Sequence, residues 1–233
     1  MRRLPPRPQR RSPAERTRSP RHSPEQARSL IVAAALEFLS ERPFRDLTVG
    51  GLMAATPLSR PAFYVYFEDI HELIEVLLSE VEVAMHESAG PWFGGDCDDA
   101  ASSYGRAREG LRGIAETCVV HGPLFRAVSE AAPLDSRLER AWSKFMTRWD
   151  DGVAARIRLE QTAGLIDRSL DAGAIAHALN RLDAALLIEH LGSRGSRRQK
   201  KDRAEYVIGI MHTFWHATLY AQVDRGRVPT PKA

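Results

Sequence analysis

The sequence is short of nearly everything that marks an enzyme, a secreted miniprotein or a membrane protein. Only two cysteines occur in 233 residues, Cys97 and Cys118. Their separation fits neither a zinc site nor a disulfide framework, so a reducing, cytoplasmic setting is expected. No apolar run nears the roughly 18 residues of a bilayer span, and the start lacks the apolar core of a secretory signal, so no membrane partner is expected. Sustained strand alternation and internal repeats are missing. So are a nucleophile elbow, a phosphate loop, a dinucleotide fingerprint and clustered carboxylates. No catalytic residue, metal ligand or cofactor is therefore assigned, and a helical-bundle enzyme using His and Glu is the weakest of the readings.

What is present is unevenly charged. The net charge is +3, yet residues 1–22 hold eight arginines against one acid, Glu15, a charge of +7 that leaves 3 − 7 = −4 for the remainder. This Arg-, Pro- and Ser-rich stretch has too little apolar surface to offset the entropy of ordering, so a disordered basic arm is expected. Two roles stand for it: non-specific attraction to nucleic acid, or a solubilising leader without further function. Residues 224–233 read as a flexible tail.

From Pro24 onward the apolar spacing is helical. Ser23 caps a first helix, with Pro24 in its first turn and Gln26 completing a capping box; Ala27, Leu30, Ile31, Ala34, Ala35 and Phe38 form its stripe. Thr48 caps a second, short helix to about Ala55, Pro57 breaks it, and Ser59 caps a third. Pro61 is tolerated there because first-turn N–H groups have no intrahelical partner. These three predict a helix-turn-helix head over 23–68. A fourth helix starts near Asp69 and ends near 88, with Pro91, Gly94 and Gly95 in the loop beyond. Further helices are expected at about 102–121, 123–131, 135–162, 171–191 and 202–223. The fold class is all-α, about nine helices, with a bundle over 69–223 behind the head.

The stretch LSRPAFYVYF, 58–67, carries the functional signal. Phe63 and Phe67 lie four apart and share a face, which should pack inward. Ser59, Arg60, Tyr64 and Tyr66 then lie nearer the outside, as in a recognition helix, where basic groups approach base edges and hydroxyls reach phosphates. The plainer alternative is that both tyrosines only cover the surface. In the bundle, Trp142, Trp149 and Trp215 with Met146 suit an adaptable apolar cavity, and Asn180 would be its single polar anchor. Ordinary core packing is the alternative. His212 and His216, four apart, lack the acidic partner of a metal motif and read as core or interface; the basic stretch 192–203 reads as a solvated connection.

The run DLTVGGLMAATPLSRPAFYVYF and the helix after it resemble the DNA-binding head of the TetR family of bacterial transcriptional repressors, in its EthR-like branch. The likeness extends over about 25–85 and returns in AWSKFMTRW, HALN and HTFWHATLY. It implies contact with a double-stranded DNA operator through Thr48, Ser59, Arg60, Pro61, Tyr64 and Tyr66. It also implies a small hydrophobic effector held by Trp142, Phe145, Met146, Trp149, Asn180 and Trp215, and a homodimer formed by the last two long helices. The implied function is a repressor that binds a two-fold operator and is released by that effector; a DNA-binding protein without ligand is the main alternative. Three features depart from the family pattern: Ile70 replaces a lysine opening the fourth helix, Pro57 the glycine of the turn, and Gly50-Gly51 an acidic pair.

Overall fold

In the computed structural model, residues 22–193 and 197–221 are described; the tail, and all but the last residue of the basic arm, lie outside that range. Every regular element among the described residues is helical. The head begins with α1, Pro24–Glu41, started as expected: Ser23 Oγ accepts from the Gln26 N–H at 3.2 Å and the Gln26 side chain accepts from the Ser23 N–H at 2.9 Å. A 3-10 turn, Phe44–Asp46, leads to α2, Val49–Ala54, and α3, Arg60–Phe63. Ile31, Ala35, Leu39, Leu52 and Phe63 are fully buried at the centre of the head.

Pro57 does not disturb the turn, because no described residue there takes a positive φ; Gly164 alone does so among the described residues. Thr56 supplies what a glycine would otherwise allow. Its hydroxyl donates to the Met53 carbonyl at 3.0 Å and accepts from the Leu58 N–H at 3.2 Å, a side-chain imitation of a backbone turn.

The bundle comprises α4 (Ile70–Phe93), α5 (Ala100–Ala131), α6 (Ser136–Ala163), α7 (Ala172–Leu191) and α8 (Arg197–Trp215), ending in a π turn, His216–Tyr220. The two helices expected either side of residue 122 are one. Pro123 lies inside α5 and withholds the N–H that the Val119 carbonyl would accept. The ammonium of Lys200, reaching from α8, lies 3.5 Å from that carbonyl instead. Gly122 lets α5 pass against the end of α7: a Cβ there would lie 2.5 Å from the Leu191 carbonyl oxygen. There are thus eight α-helices among the described residues, not nine.

Two other boundaries also differ from expectation. α4 runs through Pro91 to Phe93 because Trp92 buries itself and donates to Tyr220 Oη at 3.2 Å, giving a tertiary reason for the last turn to persist. α8 starts at Arg197, so much of the expected basic connection is helical, and Lys200 is buried.

A buried polar cluster ties α5, α6, the closing π turn and the loop after α4 together. Arg156 and Glu160, one turn apart on α6, pair at 2.8 Å; Glu160 also accepts from Ser103 of α5 and, at 2.8 Å, from Tyr220. The second arm of Arg156 donates to the Gly95 carbonyl at 2.6 Å. Because every partner is supplied, the buried charges are compensated rather than stranded.

Candidate functional site

Helix α3 is only one turn, but backbone hydrogen bonds from Tyr66 and Phe67 to the Phe63 carbonyl, both 3.0 Å, extend its coil to Phe67. That geometry buries Phe63 and Phe67 and turns Tyr64 and Val65 outward, at 52% and 75% exposure. Thr48, Ser59, Arg60 and Pro61 are exposed beside them. Ser59 sits at the N-cap without a capping hydrogen bond, whereas Thr48 accepts from the Gly51 N–H at 3.1 Å. Tyr66 is the exception: it is half-buried and packs on the head's core, so it faces outward less than expected. Ile70 is buried rather than presented.

The start of α4, next to the head, is braced to α6 by short polar struts. Arg137, in the first turn of α6, binds Asp69 and Glu75 at the start of α4, each at 2.7 Å. His71 binds Asp135, the α6 N-cap, at 2.7 Å, and this bond holds the Asp135 carboxyl below the usual carboxylate range. Burial pushes the Asp69 carboxyl up, but the Glu72 N–H and Arg137 outweigh it and leave it lowered. Farther along, Arg148 clasps Glu82 with two nitrogens, and His86 of α4 stacks on Trp149 of α6 at 4.4 Å.

Between those helices and α5, α7 and α8 lies an apolar cavity in two lobes. The first, about 50 Å³, is lined by Met85, Phe125, Trp142, Phe145, Met146 and Trp149 among others. The second, about 30 Å³, is lined by Trp92, Phe93, Leu111, Val153 and Trp215 among others. Ile114, Trp149, Asn180 and Asp183 belong to both. Both lobes are small, with room for a few water molecules, well below the roughly 300–1,000 Å³ of a drug-sized ligand pocket. Of the six residues expected at an effector site, all but Trp215 line the first lobe, Trp215 lines the second, and Trp149 and Asn180 line both.

Asn180 is not the single polar group of that space. Its amide N–H donates to Asp150 at 2.9 Å, while Asp150 also binds His177 at 2.8 Å. Sequence reasoning missed Asp183, which is three residues on and shares the buried stripe of Leu179 and Leu187. Its Oδ2 accepts from the Trp215 indole N–H at 2.9 Å. Its Oδ1 is buried with no hydrogen-bond partner, and burial raises the carboxyl to about 7 against the pull of the indole bond. Trp92 and Phe93 were missed as well, because Pro91 seemed to exclude a helix there. Cys118, in the first lobe, has its thiol pushed up to about 12 by burial and is inert. Of the discounted histidines, His212 lies 3.2 Å from the Arg108 carbonyl and His216 packs edge-on to Tyr104.

An exposed helix-turn-helix strutted to a hollow helical bundle defines a class: a DNA-binding protein whose second half has room for a small molecule. Comparison with known proteins narrows it. Residues 31–77 match the bacterial regulatory proteins of the tetR family, and residues 107–221 match the C-terminal domain of the transcriptional regulator EthR. The chain belongs to the TetR family and is a DNA-binding transcriptional regulator with an EthR-type C-terminal domain. It is 26% identical to the HTH-type transcriptional regulator EthR of Mycobacterium tuberculosis over 205 residues, 88% of this chain and 92% of that one. It is also 26% identical to EthR of Mycolicibacterium smegmatis over 210 residues, 90% and 93% of the two chains. A crystal structure of a TetR-family regulator from Syntrophomonas wolfei shares the fold, with a TM-score of 0.66 at 16% identity over 82% of this chain and 96% of that one. These relatives are regulators, not enzymes. No helix among the described residues is long and apolar enough to cross a membrane.

Proposed function

We propose that the chain is a repressor that binds a two-fold operator as a homodimer and is released when an apolar effector enters the bundle cavity. The observation that carries the reading is the course of α4. It starts at the head's last core residues and ends in the cavity wall, where Met85, Trp92 and Phe93 stand. Because the cavity is smaller than a drug-sized ligand, an effector has to part its walls, and α4, one of those walls, continues from the head and is braced to α6, another. A ligand shifts the conformational balance only by its differential affinity; driving it from 1:99 to 99:1 needs about 10⁴-fold, roughly 5.5 kcal/mol. Burying an apolar ligand among the aromatic rings of both lobes is a source of that size.

At the head, Arg60 forks onto a guanine in the major groove, a contact worth roughly 1–3 kcal/mol of discrimination. Thr48, Ser59 and Tyr64 hold phosphates, Pro61 packs beside the backbone, and Tyr66 supports the helix from its half-buried position. The domain limits follow: head to about residue 68, bundle from 69 to 223. Pairing through α7 and α8 is supported by the outward apolar stripe of α8, where Tyr206, Ile210, Phe214 and Ala217 recur at helical spacing. The tightness of the cavity favours a second reading, a DNA-binding dimer without effector. Selecting bound DNA from a random pool tests the first half of the proposal: two inverted half-sites are expected, and a pool with no symmetric enrichment would overturn the dimeric operator.

A further inference from the structure

The cavity contains one feature that apolar contact alone does not satisfy. Asp183 stands at the junction of the two lobes, 7% exposed, with Oδ1 buried and unpartnered. Burying an acceptor without a partner costs roughly 1–3 kcal/mol, and more when it is charged. The neighbouring inward positions of α7 show what the stripe otherwise uses, Leu179 and Leu187. A carboxylate at this place therefore destabilises the empty state, and a bound group can remove that penalty.

The surroundings say which group. Among the described residues no ion pair reaches Asp183, and the lining of both lobes contains no Lys, Arg or His. The titratable groups of the adjoining elements are occupied elsewhere. On α4, His86 stacks on Trp149; on α5, Cys118 holds its proton; on α6, Asp150 is bound by Asn180 and His177, with Arg181 at 3.5 Å. On α8, His212 lies against the Arg108 carbonyl. Aromatic residues line the lobes beside it, Trp149 in both and Trp215, whose indole N–H it accepts. An unpartnered acidic oxygen in an aromatic-lined cavity suits an ammonium, by charge and by cation–π attraction where a ring face meets it.

We propose that the effector of this cavity is an apolar molecule bearing a protonated amine, with Asp183 as its counter-ion; this rests on reading the cavity as an effector site. The amine takes the empty Oδ1, Oδ2 keeps the indole of Trp215, and the alkyl or aryl body lies along one lobe. Because the buried carboxyl titrates near 7, amine binding weakens as the pH falls from 8 to 6, whereas binding of a neutral analogue does not.

Calorimetry on the full chain at pH 8 tests this with matched probes, n-hexylamine against n-hexanol and phenethylamine against phenethyl alcohol. Each amine is expected to bind at least tenfold more tightly than its alcohol. Asp183→Asn, which preserves shape and the acceptor for Trp215, is expected to erase that preference while leaving alcohol affinity within about threefold. Asp183→Leu should do the same without any acceptor, and melting curves of both variants report that the fold is kept. Equal binding of amine and alcohol to the wild type, or a preference that survives in Asp183→Asn, overturns the proposal and leaves the effector site standing. Absence of binding by all four probes to all three proteins overturns the effector reading itself.

Discussion

Asp183 has a consequence for the empty protein that needs no ligand. Burial raises its carboxyl to about 7, against about 3.9 in the unfolded chain. Between those values the folded state binds more protons than the unfolded one, so the stability this group contributes is fully present below about pH 4 and is lost as the pH rises through 7. Asp183→Asn escapes that loss. In urea unfolding it should gain about 2–3 kcal/mol on the wild type between pH 5 and pH 8; no gain would mean that the carboxyl is not desolvated. Arg60 makes the opposite kind of prediction. It is exposed and forms no ion pair with the described residues, so Arg60→Ala should leave the melting temperature within a degree or two. Binding to a selected operator should nevertheless weaken by roughly 1–3 kcal/mol and tolerate substitutions at one base position. A loss equal on all sequences would assign Arg60 to phosphate instead.

At the scale of elements, the helices were legible where cap and periodicity agree. Ser23 and Gln26, Thr48, Asp99, Asp135 and Asp171 each cap a helix, and four of the five bundle helices start within two residues of expectation. The errors all came from proline or charge read locally. Pro91 and Pro123 stay inside helices because Trp92 finds a buried partner and Lys200 approaches the carbonyl that Pro123 strands. Those partners come from distant segments, which no local window contains. Asp183 was overlooked for a related reason, since one acid in a helix stripe is ordinarily a surface group. The Gly122 contact gives this scale its test. Gly122→Ala gains helix propensity of about 1 kcal/mol yet drives a Cβ to 2.5 Å from the Leu191 carbonyl. A net destabilisation of roughly 2 kcal/mol or more is expected in chemical denaturation; a stabilised variant would show that α5 and α7 are not in backbone contact.

For the whole molecule, the proposed arrangement is a sensor with its reading surface in the head and its cavity in the bundle, joined by α4, whose start is pinned to α6 by Arg137, Asp69, His71 and Asp135. These surface pairs contribute little to stability, about 0–1 kcal/mol each. They tie the start of α4, next to the head, to α6, and both helices line the cavity. Charge is distributed on the same plan, with +7 carried by residues 1–22 and the remainder near −4. If the arm neutralises phosphates, a chain without residues 1–22 should show a shallower fall of operator affinity with salt, by about 0.9 in the log–log slope for each phosphate the arm had neutralised. An unchanged slope would reduce the arm to a leader. The central claim is the coupling itself, and it is addressed by operator affinity with and without an apolar amine that raises the melting temperature of the protein. Such a ligand is expected to weaken operator binding at least tenfold, and an affinity that stays the same while the ligand is bound would contradict the coupling of cavity to head.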